Sequence, residues 1–265
     1  IPPLAKKGII YSVMGLILIS IGTELASIIT FLIFLPKKLT INKQDINFDF
    51  KTSKEILGIS LPTVSSRLIG NIGFFFEPII LTNVLLYAGY TMNFILAEYG
   101  AYNAYAISLL TMPSFFIQAI SSSLLPEVSR FYHVRNLAMV KRRLKQALIL
   151  SLLVGLFFSI SIFIFREGLL QTLYNTLGGS DYIKVLAPFF VLFYLEGPLQ
   201  SVLQAIDKAR TCMIITIVAV ICKLAMMAIL SLMHIGMYAL VIAEIIDIII
   251  VVILSFKAIK KELYQ

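Results

Sequence analysis

The sequence is poor in charged residues, which make up 14% of its 265 residues, and it contains no tryptophan and two cysteines. Hydrophobic residues account for 59% of the chain, and the mean hydropathy is +0.95. This composition excludes an ordinary soluble domain, because the chain has too little polar surface to cover so much apolar area. A bilayer accepts such a surface, so the lipid bilayer is the first expected partner.

The scarcity of cysteine and tryptophan limits disulfide formation and the choice of membrane anchors. Cys212 and Cys222 are ten residues apart on one predicted helix, about 15 Å by helix rise, which excludes a disulfide between them. Without tryptophan, tyrosine must supply the aromatic anchors at the membrane surface. We expect this role for Tyr87, Tyr99, Tyr102 and Tyr182.

The sequence also lacks the residue patterns of enzymes and nucleic-acid binders. Its two histidines, His133 and His234, fall on opposite sides of the predicted membrane, and no phosphate-loop, HExxH or paired Cys/His motif is present. We therefore expect no enzymatic activity, no metal and no cofactor, with H⁺ or Na⁺ as the candidate coupling ion. The net charge of +8 comes from loops that flank the membrane, so we expect no nucleic-acid partner.

Long apolar runs fill nearly the whole chain and lack the alternation of β-barrel strands. A span needs about 20 apolar residues. The predicted fold is therefore an all-α polytopic membrane protein with about seven transmembrane helices. The predicted spans are 9–35, 56–86, 101–125, 146–165, 184–206, 211–233 and 235–256.

The distribution of basic residues predicts the orientation. Sixteen of the 22 lysines and arginines fall in loops on one side and four on the other, which assigns the first side to the cytoplasm. The prediction is a multi-pass plasma-membrane protein with a cytoplasmic C-terminus. In segment 134–146 the apolar residues recur at helical spacing among basic ones, which predicts a short amphipathic helix at the membrane surface.

Seven ionisable residues fall at membrane depth, where each costs about 2.5–3.5 kcal/mol if it faces lipid. They must face a bundle interior or a wet cavity. Two interpretations remain open: static ion pairs that fix helix packing, or groups that line a transport cavity or couple an ion. The residues are Glu24, Arg67, Glu77, Glu196, Lys223, Glu244 and Asp247.

Predicted depth suggests how some of them meet. Glu196 and Lys223 both fall near the midplane on neighbouring spans, so they can pair, with Glu244 or Asp247 as alternative partners of Lys223. The two acidic residues of the last span share a face and form a candidate proton- or ion-coupling site with Glu24. Arg67 suits a diphosphate, because its guanidinium binds phosphate in a bidentate way.

Proline and glycine interrupt several spans. Such breaks free backbone groups, and transporters use them as hinges and cavity walls. The break at Pro113 lies inside the third span, and Glu196-Gly197-Pro198 combines a charge with a break at mid-depth. We therefore interpret residues 196–198 as the best single functional locus, and Arg67, Glu77, Glu196 and Lys223 as the candidate cavity residues.

Several short motifs occur in a specific order. Ser66-Arg67-Leu68-Ile69-Gly70 and Phe76-Glu77-Pro78-Ile79-Ile80 are followed by Met112-Pro113-Ser114-Phe115 and by Tyr194-Leu195-Glu196-Gly197-Pro198-Leu199-Gln200. Together they resemble the seventh, eighth and tenth spans of stage V sporulation protein B-like flippases. That family belongs to the polysaccharide flippase branch of the MOP (MATE-like) exporters, and the resemblance covers about residues 55–265.

The resemblance implies two six-helix lobes around a central cavity, alternating access and lipid-linked sugars as cargo. It implies that 1–35 is equivalent to the family's sixth span, 36–55 is a cytoplasmic inter-lobe loop, 56–256 is the C-terminal six-helix lobe and 257–265 is a cytoplasmic tail. The chain begins Ile1-Pro2-Pro3 without methionine, so we expect a fragment whose partner is the missing N-terminal lobe or a second half.

The expected function is therefore part of a flippase that moves lipid-linked oligosaccharide or a cell-wall or polysaccharide precursor across the plasma membrane. Two alternatives are a cation-coupled multidrug exporter lobe, which the excess of intramembrane carboxylates favours, and an inactive truncated fragment. A membrane-embedded glycosyltransferase is the weakest alternative, since no positioned base or metal site is visible.

Overall fold

The computed structural model describes residues 9–34 and 50–263, which form helices joined by short turns, with no strand in these ranges. A π-helical segment, Ala101–Ile107, directly connects the helix that ends at Gly100 to the helix that begins at Ser108. The helices are α1 Ile9–Phe34, α2 Phe50–Tyr87, α3 Met92–Gly100, α4 Ser108–Thr111, α5 Ser114–His133, α6 Leu137–Tyr174, α7 Ser180–Ala205, α8 Ala209–Ser231 and α9 Tyr238–Leu263.

Six of the described helices are long and apolar enough to cross a membrane. A seventh span results if Met92–Thr111 and Ser114–His133, which are bent by 50° at the break between them, cross as one unit. The predicted all-α polytopic fold is therefore confirmed, and the protein is a multi-pass membrane protein. The chain divides into two compact units, Ile1–Ser53 and Lys54–Gln265.

Helix α1 belongs to the first unit and is predominantly apolar, with Glu24 as its one charged residue. Two of its hydroxyl side chains bond to the helix itself: those of Thr23 and Thr30 each donate to a carbonyl of the preceding turn at 2.7 Å. Such internal bonds satisfy hydroxyl groups where no water is present.

Helix α7 is the centre of the second unit and packs against α5, α6, α8 and α9. Its hydrophobic residues are spread around the whole circumference of the helix, as expected for a helix surrounded by others. Leu186, Phe190, Leu199 and Leu203 are completely buried in its two halves. The other helices keep large apolar side chains on their outer faces, for example Leu153 and Phe157 of α6, which suits contact with lipid.

Capping residues in the short turns define where these helices end and begin. The Asn136 side chain caps α6 by accepting a bond from the Met139 amide at 3.2 Å. Asn175 ends α6 in the left-handed conformation. Gly179 precedes α7 with φ +87°, and a Cβ there would meet the Ala101 carbonyl oxygen at 2.5 Å. Glycine is therefore required at this position both by its backbone angle and by its close neighbour.

The break between α4 and α5 lies at Pro113, as the sequence suggests. Proline lacks an amide hydrogen and bends the helix, so carbonyls of the preceding turn need other donors. The Tyr194 hydroxyl of α7 donates to the Leu110 carbonyl at 2.5 Å, and this side chain is fully buried. The break is thus stabilised from the centre of the bundle.

Two predicted boundaries differ from the structure. Segment 134–146 does not form a separate amphipathic helix: α6 begins at Leu137 and continues to Tyr174, because no proline or glycine interrupts the chain before Gly155. Helix α9 continues through Leu263, beyond the predicted end of the span at 256. The expected inter-lobe loop 36–55 lies mostly outside the described residues, and α2 already begins at Phe50.

Candidate functional site

A buried ion triad joins three helices of the second unit. The Lys223 Nζ of α8 lies 2.7 Å from Glu77 Oε2 of α2 and 2.6 Å from Glu244 Oε2 of α9. The exposed fractions of the three side chains are 8%, 4% and 13%, respectively. Removing one member of such a group would leave a charge in the interior without a partner.

Two tyrosines, one in α3 and one in the π-helical segment, donate hydrogen bonds to the carboxylates of the triad. The Tyr99 hydroxyl of α3 donates to Glu77 Oε1, and the Tyr102 hydroxyl of the π-helical segment donates to Glu244 Oε2, both at 3.4 Å. Each carboxylate therefore has an ammonium and a phenol as donors. This arrangement satisfies buried acceptors from two directions.

A close approach of α2 and α8 brings Glu77 within reach of Lys223. Gly73 lies one helical turn before Glu77, and a Cβ at Gly73 would stand 2.7 Å from Val220 Cγ1. Val220 lies three residues before Lys223. The missing side chain at position 73 thus lets the two helices approach closely enough for the ion pair to form.

A cavity of about 190 Å³ opens beside the triad, and side chains of α2, α7, α8 and α9 line it. Besides Lys223 and Glu244, its polar lining includes Glu196, Gln200 and Asp247. Glu196 Oε1 and Asp247 Oδ1 are buried without a hydrogen-bond partner in the described part of the chain. Buried unpaired carboxylate oxygens are costly, and their positions are those at which a proton or cation would be taken up.

The charge balance of this region is acidic. Among the described side chains, four carboxylates, those of Glu77, Glu196, Glu244 and Asp247, face the ammonium of Lys223 across the triad and its cavity. Within residues 9–34 and 50–263, no group of three or more His, Cys, Asp or Glu side chains is arranged to hold a metal ion. The arrangement can bind a cationic group or exchange protons.

The structure brings together five of the seven residues singled out in the sequence. Lys223 pairs with Glu244, one of the predicted alternatives, and not with Glu196, which lines the same cavity. Glu24 lies exposed on α1 in the first unit. The side chain of Arg67 lies outside the described part of α2, so its role in binding phosphate stays a prediction.

The pairing of Glu77 with Lys223 was missed by sequence reasoning. The sequence offered one signal: Lys223 is a cation among several intramembrane acids, so more than one of them can share it. The close approach at Gly73 that selects Glu77 depends on helix packing, and no local pattern encodes it.

The prediction that Tyr102 and Tyr182 anchor the protein at the membrane surface is wrong. Their exposed fractions are 2% and 6%, and the hydroxyl of each donates to a carboxylate of another helix. Tyr102 donates to Glu244, and Tyr182 donates to Glu98. Tyr87, in contrast, is 86% exposed at the end of α2.

Comparison with known proteins agrees with the helix arrangement. The MatE family model matches residues 78–229, more than half of the chain. The chain belongs to the MatE family. Over 216 residues it is 37% identical to stage V sporulation protein B of Bacillus subtilis (strain 168), an alignment that covers 80% of the chain and 42% of that protein.

A second relative and several solved structures agree with this assignment. Sporulation protein YkvU of the same organism is 25% identical over 150 residues, 57% of the chain and 34% of that protein. The chain thus spans less than half of the length of either curated relative. The MatE fold is shared with the outward-facing structure of a multidrug resistance MATE transporter of the MOP superfamily: the TM-score is 0.74 and the identity 18%, over 97% of this chain and 56% of that one.

The same fold occurs in a MOP superfamily transporter from Pyrococcus furiosus, with a TM-score of 0.72 and 17% identity over 89% of this chain and 53% of that one. At these identities the solved structures show the fold alone. The predicted membership of the MATE-like exporters is confirmed, and the chain accounts for about half of each solved transporter.

Proposed function

We propose that this chain is one lobe of a flippase that moves a lipid-linked oligosaccharide, or a cell-wall or polysaccharide precursor, across the plasma membrane by alternating access. The identity of 37% to stage V sporulation protein B supports a flippase of this kind. The MatE fold supports a transporter rather than an enzyme. A second lobe, in the same protein or in a separate half, would close the transport cavity.

The observation that carries the proposal is the buried acidic cavity. Charges inside a membrane bundle are costly and mark pathways or coupling sites. Glu196 and Asp247 each present a carboxylate oxygen that has no partner in the described residues. Uptake of a cation by these two groups, if stronger in one conformation, would bias the transporter towards that conformation.

The ion pairs of the triad disfavour binding of Na⁺ between Glu77 and Glu244. The ammonium of Lys223 already occupies the position between Glu77 and Glu244 at ion-pair distance. A metal ion at that position would have to displace it against strong repulsion, whereas a proton needs no coordination shell. We propose that Glu196 and Asp247 exchange protons while the triad holds α2, α8 and α9 together.

The same contacts bear on how the cargo is bound. Two carboxylates neutralise Lys223 at ion-pair distance, so it is poorly placed to hold the diphosphate of a lipid-linked sugar. Within this chain we propose that Arg67 binds the diphosphate and that Lys223 maintains the cavity.

The test uses the complete transporter in proteoliposomes with a fluorescent lipid-linked oligosaccharide and an imposed pH gradient. A double variant, Glu196→Gln with Asp247→Asn, should lose the acceleration of flipping by the gradient. The matched control is Glu127→Gln, which removes a carboxylate from a partly exposed pair with Arg143. An undiminished response to the gradient in the double variant would contradict proton coupling, and absence of flipping in the wild-type protein would contradict the cargo class.

A second function, export of cationic drugs, is favoured by the excess of four carboxylates over one ammonium among the described side chains around the cavity. An acidic cavity attracts organic cations. Accumulation of ethidium in cells with and without the complete gene separates the two functions. Reduced accumulation that depends on Glu196 and Asp247, without flipping of the sugar lipid, would favour the drug exporter.

A further inference from the structure

A groove with a basic mouth and an apolar wall lies between the start of α6 and the end of α9. Its volume is about 720 Å³, and we call it the basic groove. Its mouth carries five cationic side chains, those of Lys141, Arg142, Lys145, Lys257 and Lys260. Its wall consists of Leu144, Leu148, Ile149, Phe256 and Ile259.

The positive charge of the groove is not compensated by its own lining, because none of the described residues that line it is an aspartate or glutamate. Nearby cations outside the groove do have partners: Arg143 pairs with Glu127 at 3.1 Å, and Lys208 pairs with Glu262 at 2.8 Å. In the described ranges, Lys145, Lys257 and Lys260 of the mouth form no ion pair with a carboxylate. A ligand that fits the mouth must therefore supply negative charge.

The position of the groove determines what kind of anion fits. Lys145 lies about 12 Å along α6 from its first residue, by helix rise, and Lys257 and Lys260 lie in the last two turns of α9. The mouth therefore lies near the start of α6 and the end of α9, where these two spans reach the membrane surface. Ile149 and Phe256 of the wall are 49% and 40% exposed, and the outward-facing Leu153 and Phe157 continue the apolar surface of α6 towards the bilayer interior.

We propose that the basic groove binds one anionic phospholipid of the surrounding bilayer. Its phosphate headgroup contacts Lys145, Lys257 and Lys260, and an acyl chain lies along Leu148, Ile149 and Phe256. Basic pockets between helix ends at the membrane surface have the chemistry that holds anionic lipid headgroups, and the apolar wall provides the additional burial that a soluble anion cannot use. The bound lipid would join α6 to α9, and its binding does not depend on the cargo.

The first test measures lipid binding to the complete protein, purified and delipidated in detergent. Native mass spectrometry and thermal unfolding are compared with phosphatidylglycerol and with phosphatidylcholine of the same acyl chains. We expect phosphatidylglycerol to remain bound and to raise Tm, because a ligand specific for the folded state stabilises it. Equal effects of the two lipids, or no retained lipid because another protein segment fills the groove, would overturn the proposal.

Charge-matched variants distinguish the groove from general attraction to a basic surface. The groove variant combines K145Q, K257Q and K260Q, and the control combines R130Q, R135Q and K261Q, which removes the same charge from exposed positions outside the groove. The groove variant should lose the Tm increase with phosphatidylglycerol, and the control should keep it. Equal loss in both variants, or retention in the groove variant, contradicts a specific site.

A third variant separates a lipid from a soluble phosphate. Ile149→Trp fills the apolar wall and leaves all five cations in place. It should weaken retention of phosphatidylglycerol, whereas glycerol 3-phosphate, which has the headgroup chemistry without acyl chains, should not displace the lipid from the wild-type protein. Full displacement by glycerol 3-phosphate would identify a site for soluble anions instead. None of these measurements involves transport, so their failure is distinguishable from failure of the proposed function.

Discussion

Glu77 and Lys223 form a buried ion pair of 2.7 Å between α2 and α8, two helices that lie far apart in the sequence. Lys223 also pairs with Glu244 at 2.6 Å, so one ammonium serves two carboxylates on different helices. The contact depends on Gly73, where a Cβ would stand 2.7 Å from Val220. Packing and electrostatics are therefore coupled at this position.

Replacement of Lys223 should be the most destabilising change in the triad. Lys223→Met removes the cation and leaves two buried carboxylates facing each other, which should cost about 3–5 kcal/mol. Glu77→Gln should cost less, because Glu244 still pairs with the ammonium. Unfolding of the complete protein in detergent measures both, with Glu127→Gln as the partly exposed control. A loss for Lys223→Met no larger than that of the control would contradict the triad.

Tyr194→Phe tests the stabilisation of the break at Pro113. The variant keeps the buried ring but removes the hydroxyl that α7 provides as a donor to the Leu110 carbonyl. An unsatisfied buried carbonyl should reduce the free energy of unfolding by about 1–3 kcal/mol. Tyr87→Phe, at an 86% exposed position, is the control. Equal stability of the two variants would show that the hydroxyl does not support the break.

Gly155→Ala should separate α6 from α7. A Cβ at this position would lie 2.9 Å from the Tyr194 ring, which is fixed by its hydrogen bond to Leu110. We expect a loss of about 1–3 kcal/mol, as for other overpacked cores. On the same helix, a Cβ at Gly168 would meet nothing within 4 Å, so Gly168→Ala should be neutral or stabilise by up to about 1 kcal/mol. Similar unfolding midpoints for the two variants would exclude the contact.

The ion pair of Lys208 with Glu262 predicts a dependence of stability on pH. The Glu262 carboxylate, by its hydrogen bond, raises the pKa of the Lys208 ammonium above its ordinary value. A raised lysine pKa contributes stability that is complete below the unfolded-state value of about 10.4 and is lost as pH rises through the folded-state value.

The effect of this pair should be small, about 0.2–1 kcal/mol, because both side chains are partly exposed. Unfolding midpoints of the wild-type protein and Lys208→Met should differ at pH 8 and converge as the pH rises through the raised pKa of Lys208. Lys261→Met, at an exposed position, is the control for the loss of a lysine. A difference between wild type and Lys208→Met that stays constant across this range would rule out the titration.

The sequence was sufficient to predict the fold because the main driving force, the transfer of apolar side chains from water to hydrocarbon, is a local property of each segment. Each span can be recognised from the length and hydropathy of its own apolar run, and the break follows from Pro113 itself. Neither prediction requires knowledge of the neighbouring helices. The burial of Lys223 and Glu244 follows for the same reason: an ionised group at mid-depth has to face inwards.

The partners of those groups depend on tertiary packing. The approach at Gly73 selects Glu77, and the phenols of Tyr102 and Tyr182 turn inwards because carboxylates of other helices accept their hydrogen bonds there. A pattern of amphipathic residues also misidentified segment 134–146, since periodicity shows which residues share a face but not whether a helix stops.

The π-helical segment Ala101–Ile107 has a consequence for how this lobe tolerates change. Its backbone hydrogen bonds run from residue i to i+5, so each bonded turn encloses one more residue than a turn of the α-helices on either side. Deletion of a single residue after Tyr102 would let the segment close as an α-helix and leave α3 and α4 in nearly the same relative orientation, because the π turn already accommodates one extra residue. Tyr99 would then stay near Glu77, and Tyr102 near Glu244. This short stretch can therefore lose one residue without taking either phenol out of phase.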